Sequence, residues 1–507
     1  MASDPQDRAR IDESVGLAST GNLELDAILA GGLPAYHVYL IEGDPGAGKT
    51  TLALQFLLEG ARLGERGMYV TLSETEGELR IIADSHGWSL DAIDIFELNP
   101  SLESLERDSH YTMFHPSEVE LSETTKAILS MVEKNNPKRV VFDSLSEMRL
   151  LAQDPLRYRR QIMALKRFFL GRRSTVLFLD DRTSGEDELN LQSIVHGVIN
   201  LEQRSPEFGA ERRRMRVIKM RGVKFRGGYH DFRIERGGLD VYPRLTASEH
   251  RQDFDRGRLL SDLPELDKLL GGGVDYGSST LIAGPAGVGK STLATRYVFA
   301  AAERGQRCAM FIFDETLHTL LDRAESMGMN MRKHVESGLV TVQQVDPAEL
   351  SPMEFAVVVS RMVRPVGGEG ARIVVIDSLN GYLNAMPEER FLVIQLHEIL
   401  VYLGQLGVVT FLIVAQHGLL GPLQSPVDAS YLADTVILLR YYENHGRIRK
   451  AISVLKKRTG IHEETIRELR LSADGLVVGE PLETFRGIMS SSPSILEPLR
   501  PMESGHA

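Results

Sequence analysis

The chain has 507 residues, 42% of them hydrophobic and 25% charged, which is the composition of a soluble globular protein and too long for one ordinary core. A formal net charge of −12 argues against a protein whose main task is coating nucleic acid, because phosphate contacts demand a basic face. The single cysteine, Cys308, excludes an internal disulfide and a cysteine-based zinc site, and no apolar run approaches the roughly 18–20 residues that span a bilayer.

Residues 1–10 read as a polar N-terminal arm without the apolar stretch of a secretion signal, so a cytoplasmic location is expected. Leu25 and Asp26 then precede a glycine pair, Gly31 and Gly32. Val38 to Ile41 is a short apolar run that feeds straight into Gly43-Asp44-Pro45-Gly46-Ala47-Gly48-Lys49-Thr50-Thr51. Beyond it Leu54, Leu57, Leu58 and Ala61 fall at i, i+3, i+4 and i+7, on one helical face. Met68 to Leu72, Arg139 to Phe142 and Val176 to Leu179 read as buried strands, and their alternation with helices predicts a mostly parallel sheet covered on both sides. Arg216 to Met220 reads as a strand of a hairpin-like finish. The run Arg212 to Arg216, with Lys219, Arg221, Lys224 and Arg226 beyond it, is the strongest basic stretch. Pro243 to Arg258 is polar and charge-rich and reads as a boundary.

After that boundary the same unit is written again. Leu266 and Asp267 precede Gly271, Gly272 and Gly273, and Lys49 recurs as Lys290, 241 residues later, in Gly284-Pro285-Ala286-Gly287-Val288-Gly289-Lys290-Ser291-Thr292. Ser73-Glu74-Thr75 matches Asp314-Glu315-Thr316 at the same offset, Asp143-Ser144-Leu145 matches Asp377-Ser378-Leu379, and Lys219 and Arg221 match Lys456 and Arg458. So many ordered landmarks make the chain a tandem duplication. The expected domains span residues 11–247 and 248–484, with a Ser- and Pro-rich flexible tail at 485–507.

Both glycine runs fit G-x-x-x-x-G-K-[ST] between a strand and a helix, the setting in which the motif is specific for a nucleoside triphosphate. Gly43, Gly46, Gly48, Gly284, Gly287 and Gly289 let backbone N–H groups close around phosphates, and a helix N-terminus adds partial positive charge. Lys49 and Lys290 are expected to neutralise ATP phosphates, while Thr50 and Ser291 offer hydroxyls to Mg²⁺, with Thr51 and Thr292 beside them. Asp143 and Asp377 end apolar strands, where a carboxylate can orient Mg²⁺. Glu74 and Glu315, with Asp314 adjacent, stand where a carboxylate would orient the attacking water. Each has a bland alternative: a strand-ending Asp can cap a turn, and a Glu at a helix start suits the macrodipole. The fold expected is α/β, two tandem RecA-like P-loop domains.

With Ser430 to Arg440 and Arg449 to Arg458 added to the double P-loop, the sequence resembles the KaiC family, the double-domain ATPases and autokinases of circadian clocks and their relatives, from about Ile11 to Gly479. The resemblance implies hexameric double rings with ATP and Mg²⁺ held between neighbouring subunits. It implies a first-copy ring that hydrolyses ATP slowly and a second-copy ring that phosphorylates its own serine. It implies that Lys219, Arg221, Lys456 and Arg458 reach the neighbouring subunit's phosphates and that Ser430 is the acceptor; a KaiB-like or histidine-kinase-type partner follows in the same way. The chain departs from the clock pattern of adjacent glutamates with Ser73-Glu74 and Asp314-Glu315, and it has Tyr431 beside the acceptor. Two alternatives stay open: a DNA-dependent motor built on the basic run, and a nucleotide-gated scaffold with negligible turnover. Asp180-Asp181 and Gln416-His417, ending later strands, read equally as γ-phosphate sensors or as polar loop starts, and Trp88 and Cys308 as packing residues.

Overall fold

Alternation along the strands sets the layers. In the strand Val38–Gly43, Val38 and Leu40 pack into one apolar cluster while Tyr39 and Ile41 pack into another on the opposite face. Arg139–Asp143 divides the same way, with Val140 and Phe142 on one side and Val141 on the other. Strands buried on both faces need helices above and below, and the βα alternation supplies them.

The computed structural model describes residues 16–98, 116–152, 154–181, 191–205, 209–247, 250–346, 348–365, 367–384, 392–416, 431–473, 475–483, 485–486 and 494–495. They fall into two compact units, divided between Arg244 and Leu245, inside the polar stretch read as a boundary. The first unit opens with a short ribbon, β1 (Leu17–Ala18) and β2 (Leu33–Pro34), flanking the helix Leu23–Ile28. Its main sheet comprises β3 (Val38–Gly43), β4 (Gly67–Thr71), β5 (Ile93–Glu97), β6 (Arg139–Asp143), β7 (Thr175–Asp181), β8 (Gly197–Arg204), β9 (Arg212–Met220), β10 (Tyr229–Glu235) and β11 (Gly238–Tyr242). The spatial order is β11-β10-β9-β8-β3-β7-β6-β4-β5, parallel from β8 to β5 and antiparallel from β8 to β11. Leu52, Leu54 and Leu57 of the helix Lys49–Arg62, with Leu79 and Ala83 of Glu76–His86, cover one face; Ile162, Leu165 and Phe169 of Pro155–Arg172 cover the other.

The second unit repeats the plan. Its ribbon is β12 (Arg258–Leu259) with β13 (Val274–Asp275), and its sheet comprises β14 (Ser279–Gly284), β15 (Cys308–Ile312), β16 (Val340–Gln344), β17 (Ile373–Asp377), β18 (Val409–Ala415), β19 (Thr435–Asn444), β20 (Arg447–Lys457), β21 (Arg467–Ser472) and β22 (Gly475–Pro481). The order β16-β15-β17-β18-β14-β19-β20-β21-β22 matches the first sheet strand for strand. The paired Leu-Asp landmarks are structural in both: Asp26 accepts from the Thr20 amide and hydroxyl at 2.8 Å each, and Asp267 from those of Ser261 at 2.9 and 2.8 Å. Cys308 is buried in the core of the second unit, and Trp88 packs half-buried against an apolar cluster of the first. Among the described residues no helix is long and apolar enough to cross a membrane.

Two differences from the sequence reading bear on function. The strand expected over Arg216 to Met220 begins earlier, so that the whole basic run Arg212 to Arg216 lies within the nine-residue strand β9, and its counterpart β20 is eleven residues long. Arg214 pairs with Glu202 at 2.7 Å and lies over the Tyr229 ring at 3.8 Å, so part of this charge is spent inside the unit.

Candidate nucleotide-binding and catalytic sites

Both glycine loops sit at the carboxyl end of a central parallel strand, β3 or β14, and open directly into a 14-residue helix, Lys49–Arg62 or Lys290–Glu303. Gly48 and Gly289 precede those helices at φ of 95° and 111°, a left-handed conformation that side chains resist. At Gly43 and Gly284 the limit is space, since a Cβ would lie 2.6 Å from the Leu201 carbonyl oxygen and 2.5 Å from that of Leu439. Neither helix has a capping side chain, so first-turn N–H groups remain for an anion.

In the first unit Lys49 is buried and its Nζ donates to the carbonyls of Gly43 (2.9 Å) and Asp44 (3.0 Å) while pairing with Asp181 at 2.7 Å. Asp143, at the end of β6, accepts from the Tyr69 hydroxyl at 2.5 Å, and the Thr50 hydroxyl lies against the same carboxylate. Burial raises the Asp143 pKa against those hydrogen bonds. Glu74 follows β4 with its amide bonded to the Thr71 hydroxyl at 3.0 Å, and its buried Oε2 has no hydrogen-bond partner among the described residues. Burial first, then the charges of Asp143, Glu78 and Asp181, push its pKa up to about 7, with Lys49 pulling the other way. Three carboxylates thus surround one lysine. A hydroxyl, an oxygen-only acid set and this excess of buried negative charge fit a hard divalent cation between Thr50 and Asp143.

The second unit is built from the same positions but is wired differently. Lys290 donates to the Pro285 carbonyl at 2.8 Å; burial lowers its pKa, and Asp377 opposes that. Asp377 is raised to about 6 by burial, with the Ser291 hydroxyl lowering it and Glu315 raising it, so Ser291 and Asp377 offer a cation the same chemistry as Thr50 and Asp143. Asp314 accepts a hydrogen bond from the Ser378 hydroxyl. Glu315, unlike Glu74, is engaged on both oxygens by Arg323: Nη2 donates to Oε1 at 2.9 Å and Nη1 to Oε2. The residue 241 positions before Arg323 is Ile82. The two glutamates, read as equivalents from the sequence, therefore differ in their partners.

The four cations given a trans role by resemblance lie at the other end of the sheet. Lys219 pairs in register with Val198, and the Arg221 amide bonds to the His196 carbonyl, whose residue in turn bonds Val38 at the start of β3. In the second unit the Arg458 amide bonds to Asp434, which bonds Ser279 at the start of β14. From there to the glycine loop is about 16 Å along the strand, beyond the reach of these side chains. They bind local carbonyls instead: Lys219 that of Gln192, Arg221 that of Ser193 at 2.9 Å, Lys456 that of Ala433 at 2.8 Å and Arg458 that of Tyr431 at 3.0 Å. A bulge beside each lysine, between Val198 and Ile199 and again between Val436 and Ile437, sets its direction.

Sequence reasoning missed several participants. Lys166 joins the first cluster through the Ile194 carbonyl at 2.5 Å, and burial together with Arg221 lowers the pKa of both Lys166 and Lys219. Arg213 and Lys450 donate to the glycine-loop carbonyls of Gly46 (3.4 Å) and Gly287 (3.3 Å), and their matching offset in the repeat was the signal available for them. Asp180 is tied to Ser146 and Arg149, so only Asp181 of that pair faces the phosphate lysine. The Gln416 amide bonds the Gly284 carbonyl at 3.0 Å. Ser430 and His417 lie outside the described residues.

Comparison with known proteins agrees with this geometry. The family model of the KaiC ATPase matches residues 18–246 and 261–483. The circadian clock protein KaiC3 of Synechocystis sp. is 26% identical over 500 residues, 94% of each chain. The circadian clock oscillator protein KaiC of Parathermosynechococcus lividus is 26% identical over 512 residues, covering 96% of this chain and 90% of its own. That of Synechococcus elongatus is 26% identical over 481 residues, covering 92% and 90%. Two family domains, each carrying a complete glycine loop with a strand-ending aspartate beside it, account for most of the molecule: this chain belongs to the KaiC ATPase family.

Proposed function

We propose that this protein is a ring-forming, Mg²⁺-dependent ATPase whose sites are completed by a neighbouring subunit, and that its second unit transfers phosphate to Ser430. The observation that carries the reading is the placement of Lys219, Arg221, Lys456 and Arg458 at the strand edge opposite each unit's own glycine loop. Cations so placed serve a phosphate only when it belongs to another protomer, which makes turnover depend on assembly. A hexamer is the closed form expected from the family.

In each site Lys49 or Lys290 swings from the loop carbonyls to the β- and γ-phosphates, and loop amides hold the remaining oxygens. Thr50 with Asp143, and Ser291 with Asp377, would hold Mg²⁺, which neutralises charge shared between the β- and γ-phosphates. Glu74 orients a water and takes its proton as the new bond to the γ-phosphorus forms and the bridging bond breaks. The ionised glutamate is the competent form. With the second unit silenced by Lys290→Ala, kcat/KM should therefore rise with pH through about 7 and level off above it, as a pH series at saturating Mg²⁺ would show.

Tyr431, which follows Ser430 in the sequence, has its carbonyl on Arg458, one of the second unit's two cations of this set. Incubation with Mg·ATP followed by phosphosite mapping tests the transfer: phosphate on Ser430, absent from Ser430→Ala and Lys290→Ala, is the expected result, and a phosphate-free protein that still turns over ATP would remove the kinase part. A regulatory partner of the KaiB-like or histidine-kinase type is expected from the family alone.

A further inference from the structure

Glu74 and Glu315 occupy equivalent places in the repeat, each just after the second parallel strand and just before a threonine that caps the next helix. Among the differences between the two helices, one bears on the hydrogen bonds of the glutamate. In the first unit the residue at the position of Arg323 is Ile82, half-buried against the apolar cluster, and the buried Oε2 of Glu74 has no hydrogen-bond partner among the described residues. In the second unit Arg323, on the helix Leu317–Glu325, closes a two-pronged hydrogen-bonded ion pair on Glu315, whose side chain is only 16% exposed.

We propose that Arg323 is a positioning residue that restrains hydrolysis in the second unit by holding Glu315 away from water, so that this unit retains ATP where the first unit consumes it. The inference rests on the reading of Glu74 and Glu315 as the water-orienting carboxylates. A carboxylate whose two oxygens each accept a guanidinium N–H must break a charge-assisted hydrogen bond before it can take a proton from water. The planar fork of arginine matches a carboxylate in a way that a single ammonium does not. Nothing comparable burdens Glu74. A site that binds the triphosphate but presents no free base to water leaves the γ-phosphate available for a hydroxyl acceptor instead.

The test is made on the full-length protein with one unit silenced at a time. In a Lys49→Ala background, which isolates the second unit, Arg323→Ile should raise kcat about tenfold with KM unchanged. Arg323→Lys, which keeps one contact to Glu315, should stay near the parent rate. In a Lys290→Ala background the reverse exchange, Ile82→Arg, should lower first-unit kcat about tenfold, again with KM unchanged. Unchanged or lower kcat in Arg323→Ile, with mant-ATP affinity retained, overturns the restraint, and so does Ile82→Arg with an unaltered rate. Glu315→Gln separates the two claims: if it abolishes second-unit turnover while Arg323→Ile adds none, only the restraint fails, whereas full activity in Glu315→Gln removes the catalytic reading together with it.

Discussion

Protomers carrying Arg221→Ala should lose first-unit turnover by about 10³-fold, and mixing them with Lys49→Ala protomers should bring part of it back. The loss follows from removing a cation that stabilises charge on the transferring phosphoryl group. The recovery follows from geometry. Arg221 sits level with the start of β3 while the glycine loop follows its end, so no protomer brings its own Arg221 to its own phosphate. A mixed ring contains seams where an intact Lys49 faces an intact Arg221. Steady-state ADP release, measured with the second unit silenced in both partners and after subunit exchange is confirmed, reads the outcome directly. Mixed rings as inactive as either parent would show that the cation acts within its own chain. The same exchange in the second unit pairs Arg458→Ala with Lys290→Ala.

Glu74→Gln should reduce first-unit hydrolysis by roughly 10²–10⁴-fold while making the nucleotide-free protein more stable above neutral pH. Both effects have one origin, a half-buried carboxylate without a hydrogen bond on one oxygen and with acidic neighbours. Its folded pKa of about 7 lies above the ordinary 4.5, so the folded state binds the extra proton. The associated stability is fully present below pH 4.5 and is lost as pH rises through 7. Glutamine carries no charge to desolvate and escapes that loss. Allowing for solvent screening of a half-buried group, the gain at pH 8 is about 1 kcal/mol, or roughly 2–4 °C in the melting temperature of a unit this size. Thermal scans of parent and variant at pH 5 and pH 8 should diverge only at the higher pH. Equal melting temperatures at both would mean that the carboxylate is solvated, and it would then be a weaker candidate for the base.

The contrast with the second unit gives these predictions their interest. Ser73 leaves the first copy one acid short of the pair Asp314-Glu315, so a count of acids alone would make the first copy the weaker hydrolase. The surroundings point the other way, because the remaining glutamate of the first copy is the unencumbered one, while the more acidic pair in the second copy is occupied, Asp314 by Ser378 and Glu315 by Arg323. Counting carboxylates in a motif ranks the two sites in one order, and counting free carboxylate oxygens ranks them in the other.

How far the sequence carries is clearest residue by residue. Lys49, Thr50, Lys290 and Ser291 were legible because a glycine loop, its lysine and its hydroxyl are contiguous, and their conformation is dictated by local backbone freedom. Asp143 and Asp377 were legible because an apolar run of strand length ends on them, and the duplication was legible because register within a repeat survives as a constant offset. Lys166, Arg323 and the opposed ends of the sheet were not. Lys166 reaches Arg221 from a helix more than fifty positions away, Arg323 meets Glu315 only once its helix is seated, and the bulges that aim Lys219 and Lys456 exist only in the pairing of β8 with β9 and of β19 with β20. The chain by itself determined which chemistry it carries, because that chemistry is written in neighbouring residues. Only the tertiary structure decided which charges meet, since strand register and helix seating arise from contacts between segments distant in sequence, and those contacts set the partners of Glu74, Glu315 and Arg221.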